Sequence, residues 1–148
     1  MTNILKNEWL ALIFRLIVGA LFVYASLDKI MHPEAFAKSV YNYKILPAAL
    51  INVTALFLPW LELLTGAALI LGTKVKGASL LISAMLVVFL VAVTSTLLRG
   101  ISIDCGCFTS SSAGRKTGWM LLVQDVVLLL FALHLYFRGP GRLSLEKN

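Results

Sequence analysis

Charge is scarce in this chain: 14% of its 148 residues are charged, and only seven are acidic. A soluble domain carries about a quarter. With 59% hydrophobic residues and a mean hydropathy of +0.90, the composition is that of a membrane protein. Cysteine is scarcer still, Cys105 and Cys107 alone, too few for a small scaffold held together by several disulfides. There is no internal repeat and no low-complexity tail. A basic stripe or a basic–aromatic alternation is also missing, although the formal net charge is +6. The thirteen basic residues are spread over both ends of the apolar runs, which suits lipid headgroups and topology and argues against a nucleic-acid partner.

What is abundant is long apolar sequence. Four runs, near residues 9–27, 48–71, 78–98 and 119–137, are each long enough to cross a hydrocarbon layer of roughly 30 Å. The expected fold is all-α: one domain over residues 1–148, a polytopic bundle of four transmembrane helices. The first run carries Arg15, is too long for a signal-peptide core and lacks a small-residue cleavage site, so it reads as a retained anchor. After it, Pro33 suits the first turn of a helix. Phe36, Val40 and Tyr43 follow at helical spacing, which predicts a short amphipathic helix at the membrane interface.

The charge pattern does not orient the bundle. Lys6, Lys74, Lys76, Arg138, Arg142 and Lys147 fall on the terminal side, and Lys29, Lys38, Lys44, Arg99, Arg115 and Lys116 on the other, so the positive-inside rule ties. Disulfides persist in oxidising compartments. That places the "IDCGCF" loop outside, and both termini in the cytoplasm of a cell whose inner membrane holds the chain.

Three charged residues lie inside the apolar runs: Arg15, Glu62 and Asp125. Each costs at least about 2.5–3.5 kcal/mol to insert unless it is paired or neutralised. Arg15 and Glu62 sit at similar depths in their runs, which predicts an ion pair that braces the bundle or lines a cofactor pocket. Asn52, Ala55, Pro59, Glu62 and Gly66 form one stripe on the second run, Arg15, Gly19, Phe22 and Ser26 one on the first, and Ser83 and Thr94 align on the third. All are expected to face other helices. Asp125 lies nearer the cysteine loop than Glu62 and is a candidate proton acceptor for thiol chemistry.

Cys105 and Cys107 are separated by one glycine. Joining them needs α-carbons within roughly 4.4–6.8 Å, and Gly106 gives the chain freedom to bend between them. So small a ring is strained, and strained, exposed disulfides tend to be labile and catalytic. As a staple it would close almost no loop. The pair therefore reads as a redox couple, a thiol–disulfide oxidoreductase centre with Asp104 beside it as a proton handler. A metal site is a poorer reading: Asp104 and His32 are the available extra ligands, although Cu(I) accepts two sulfurs. Two inert thiols are the remaining alternative.

The chain resembles the MauE/DoxX group of small four-span membrane proteins, nearest its MauE type. "RLIVGALFVYASLDKIMHPEAFAKSVYNYKILP" is similar to the group's first span and loop, "LPWLELLTGAALILG" to its second span, and "DCGCF" with the later "QD" to its third loop and fourth span. The chain departs from the group's pattern at Thr109 and Gln124. The resemblance implies a redox-associated protein: Cys105 and Cys107 exchanging a disulfide with an extracytoplasmic thiol protein, a membrane quinone accepting the electrons, and a secreted enzyme being matured. A non-catalytic assembly subunit, or a small metal or solute carrier built around Arg15 and Glu62, are the alternatives.

Overall fold

A computed structural model describes residues 7–100 and 116–138. Among these residues the chain is all-helical: α1 (Glu8–Met31), α2 (Pro33–Asn42), α3 (Ala48–Leu71), α4 (Val75–Leu98) and α5 (Lys116–Arg138). Helices α1, α3 and α4 are each long and apolar enough to cross a membrane, so this is a membrane protein. The expected fourth run falls in α5, which has 23 residues.

Local chemistry sets the helix ends. The Asn7 side chain accepts the backbone N–H of Trp9 and caps α1. His32 ends α1 with extended φ, as the residue before a proline must, and Pro33 opens α2. Gly72 takes φ 74°, closed to most side chains, and with Thr73 it caps the last carbonyls of α3. Lys74, also at positive φ, then leads into α4.

The four long helices close a ring, with α1 against α3 and α5, and α4 against α3 and α5. Its core joins Ala11, Val18 and Phe22 of α1 to Leu69, Ile82, Leu86, Leu128, Ala132 and Leu135. Phe14 stacks on Phe131 at 4.1 Å between centroids. Where α1 meets α3 the backbones touch. A β-carbon on Gly19 would lie 2.9 Å from the Gly66 carbonyl oxygen, and one on Gly66 would lie 3.0 Å from that of Gly19.

Helix α2 is amphipathic as expected, with Phe36, Val40 and then Tyr43 buried and Glu34, Lys38 and Tyr41 exposed. Its apolar face packs on Ile51 and Ala55 of α3. The stripe on α1 is buried throughout. On α3 the stripe is buried from Ala55 to Gly66, but Asn52 is exposed and Ile51 takes the inward position. On α4, Ser83 is buried while Thr94 is exposed; Ser79 and Thr96 face inward instead, each donating to a carbonyl of its own helix. At 3.6 residues per turn, positions eleven apart are about 20° out of line, so Thr94 is turned off the face on which Ser83 is buried.

Candidate functional site

The expected Arg15–Glu62 ion pair does not form. Helices α1 and α3 run antiparallel, and the Gly19–Gly66 contact fixes their register. Arg15, four residues before Gly19, therefore lies level with the last turn of α3 near residue 70, about eight residues or 12 Å along the axis from Glu62. Arg15 is buried there, 1% exposed, where the C-terminal carbonyls of α3 present the negative ends of their dipoles.

Glu62 pairs with Lys29. The ammonium donates to both carboxylate oxygens, at 2.8 and 2.9 Å, and the two residues are 6% and 8% exposed. The direction of the side chains explains the choice. In an α-helix the Cα–Cβ bond tilts toward the N-terminus. Lys29, near the end of α1, therefore leans down into the bundle, and Glu62 on the antiparallel α3 leans up to meet it. The Lys29 ammonium also sits 4.9 Å from the ring centre of Phe36, which brings α2 into the same cluster.

Asp125 belongs here too. It is 5% exposed, and among the described residues its Oδ2 has no hydrogen-bond partner. It lines a cavity of about 60 Å³ with Lys29, Glu62, Phe22, Leu86 and Phe89. That is room for a few waters. Tyr43, buried at the end of α2, packs edge-on to Phe89 at 6.1 Å. Its phenol is pushed above the ordinary tyrosine range, first by burial and then by the Asp125 carboxylate.

Lys29 and Tyr43 are the cluster members whose role sequence reasoning missed. A signal for Lys29 was present, since Arg15, Gly19, Phe22, Ser26 and Lys29 continue one face by steps of four, three, four and three. It was obscured because Lys29 lies past the apolar run and reads as the start of a polar loop. Helix α1 in fact runs four residues beyond the expected Leu27, since the Glu62 carboxylate compensates Lys29 inside the bundle.

Asp104, Cys105 and Cys107 lie outside the described residues. Gly100 follows α4 and Lys116 opens α5, so the segment that carries them starts and ends at the end of the bundle toward which the Asp125 side chain tilts. His134 lies elsewhere, edge-on to Phe14 at 5.3 Å. Among the described residues no group of three or more His, Cys, Asp or Glu side chains is arranged to hold a metal ion.

The sequence model of the family described as "Methylamine utilisation protein MauE" matches residues 7–138, nearly the whole chain. The chain belongs to the MauE family. It is 35% identical over 120 residues to the methylamine utilization protein MauE of Paracoccus denitrificans, covering 80% of this chain and 64% of that one. To the protein of the same name from Methylorubrum extorquens it is 34% identical over 121 residues, 81% of this chain and 64% of the relative. To that of Paracoccus versutus it is 33% identical over 134 residues, 90% and 72%. The chain thus spans just under two thirds of the length of the first two relatives. No solved structure matches it. The matched residues of this MauE-family chain include Arg15, Lys29, Glu62, Asp125 and both cysteines.

Proposed function

We propose that the chain is a four-span protein of the inner membrane, both termini cytoplasmic, in which Cys105 and Cys107 exchange a disulfide with an extracytoplasmic thiol protein and so support the maturation of a secreted enzyme of methylamine utilisation. The observation that carries this reading is the buried cluster of Lys29, Glu62 and Asp125 inside the bundle, with the Asp125 side chain tilted toward the end from which the cysteine segment departs. Family membership and the Cys-Gly-Cys spacing support it.

The exchange balances as follows. A thiolate of the partner attacks one sulfur of the Cys105–Cys107 disulfide, giving a mixed disulfide and one free thiol on this chain. The partner's second thiolate then attacks its own sulfur in the mixed disulfide and releases the second cysteine. The partner leaves oxidised by two electrons, and its two protons end on Cys105 and Cys107. Re-forming the disulfide releases two electrons and two protons, and a membrane quinone would supply the two-electron oxidant that accepts them. Asp104 lies adjacent to the pair in sequence and Asp125 is buried with an acceptor oxygen unpartnered among the described residues; these two carboxylates are the groups to receive and pass on those protons. The Lys29–Glu62 pair fixes the charge around Asp125.

Alkylating thiols in intact cells, with and without prior reduction, tests the reading. A disulfide between Cys105 and Cys107 that opens in the presence of the partner is the expected result. Replacing both cysteines by serine should abolish enzyme maturation. Full maturation by that double variant would remove the redox role and leave a non-catalytic assembly subunit.

A further inference from the structure

A second cavity, about 340 Å³, runs between α3 and α4 beneath α2. Its walls are apolar, Phe36, Leu58, Val88, Phe89 and Val91 among them, yet it ends on Lys29 and Glu62. With Phe89, these two charged residues also line the smaller cavity of Asp125, so they form the wall between the two spaces. Val87, Val88 and Val91 at its mouth are exposed on α4. On a helix apolar enough to cross a membrane, that face meets lipid.

We infer that this groove admits from the lipid one neutral molecule with an apolar tail and a compact ring head bearing oxygens, the chemical class of the quinones, and that its head rests against Lys29 and Glu62. This deepens the redox reading above, and rests on it for the identity of the class. The walls and the exposed valines require an occupant that partitions into hydrocarbon. The polar end requires a head that exchanges hydrogen bonds. Lys29 has three N–H donors, two of them held by Glu62, and Phe36 and Phe89 offer ring faces or edges to a planar head. Behind the wall, Oδ2 of Asp125 is an acceptor without a donor among the described residues.

A phospholipid head fits less well. The end of the groove carries one ammonium and one carboxylate that already pair with each other, so it offers phosphate no net positive charge. Glu62 is also fourteen residues from the start of α3, about 21 Å along its axis, deeper than a headgroup lies. A volume of this size accommodates a ring and the first part of a tail.

The test uses the full chain in phosphatidylcholine nanodiscs, with decylubiquinone as the affinity probe and a photoreactive ubiquinone analogue to map the contact. Cross-links should fall on α2 and on the residues of α3 and α4 that line the groove. Leu58→Trp and Val91→Trp, which fill it, should weaken binding about tenfold or more, and so should the double replacement Lys29→Met/Glu62→Leu. Val53→Trp, on an exposed part of α3 away from the groove, should leave binding unchanged. Cross-links scattered over the lipid-facing surface, binding indifferent to the groove-filling variants, or displacement of the probe by anionic phospholipid would overturn the inference. Thiol alkylation of the native chain, made beside these binding measurements, separates the two claims. Binding that maps to the groove in a chain whose cysteines never form a disulfide sustains the site and defeats the redox reading, whereas a cycling disulfide with no groove binding does the reverse.

Discussion

Lys29 and Glu62 are 33 residues apart in sequence, yet the ammonium of one grips both oxygens of the other, at 2.8 and 2.9 Å, inside an otherwise apolar bundle. The pair ties α1 to α3 above the point where Gly19 and Gly66 bring the two backbones together. It also carries one wall of the Asp125 cavity. Packing and chemistry therefore converge on the same two side chains.

Removing one member of the pair should be far worse than removing both. Lys29→Met or Glu62→Leu alone strands a buried charge, at a cost of about 3–5 kcal/mol, whereas the double replacement keeps similar volume and leaves no charge behind, so it should be close to neutral or slightly stabilising. Unfolding of the four species in detergent gives the coupling directly as a double-mutant cycle. Additive losses in the double variant would show that the two charges are not paired.

The close approach of α1 and α3 makes a contrast among glycines. Gly66→Ala places a methyl 3.0 Å from the Gly19 carbonyl oxygen and also against Phe22 and Val23; separating the helices should cost about 1–3 kcal/mol. Gly77 lies within α4 with nothing within 4 Å of its β-carbon position. Gly77→Ala should therefore stabilise by about 0.5–1 kcal/mol through helix propensity. Melting temperatures that move in opposite directions for these two identical substitutions are the expected outcome.

Asp125 carries a buried acceptor without a partner among the described residues, a state that costs about 1–3 kcal/mol. Asp125→Leu should then raise the unfolding temperature while slowing re-formation of the Cys105–Cys107 disulfide. Asp125→Asn should slow it as well, since an amide cannot accept and release a proton as a carboxylate does. A stabilised variant with undiminished disulfide turnover would mark Asp125 as a residue without a part in proton transfer.

The helices and the inward face of α1 were legible because apolar periodicity reports burial against neighbours of any kind. Partner choice was not. Arg15 and Glu62 share a depth when each run is centred in the membrane separately. The contact between Gly19 and Gly66 instead sets a stagger that places Arg15 near the end of α3 and brings Lys29 to Glu62. Stagger depends on where two backbones can touch, which a count of residues from each end of an apolar run does not contain. Lys29 itself was hidden by its charge, which ended the apolar run while the helix continued.

Whether α5 crosses the membrane decides on which sides the ends of the chain lie. Helix α5 has 23 residues, about 34 Å at 1.5 Å per residue and enough to span roughly 30 Å of hydrocarbon. Met120, Val123, Val127, Leu130 and Phe137 are exposed along it, apolar surface that hydrocarbon would cover. Asp125, its acidic residue, is turned inward to the cavity. In a chain with Cys105 and Cys107 replaced by serine, Trp119→Cys and Phe137→Cys should react with a membrane-impermeant thiol reagent from opposite sides. Thr73→Cys, in the turn between α3 and α4, should share the side of Phe137→Cys. The outer reagent should reach only Trp119→Cys, as the extracytoplasmic placement of the cysteine segment requires. Labelling of Trp119→Cys and Phe137→Cys from one side would leave three crossings and put the two ends of the chain on opposite faces. Labelling on opposite sides but in the reverse sense would keep the four-helix arrangement and turn the thiol pair toward the cytoplasm, where it would be held reduced.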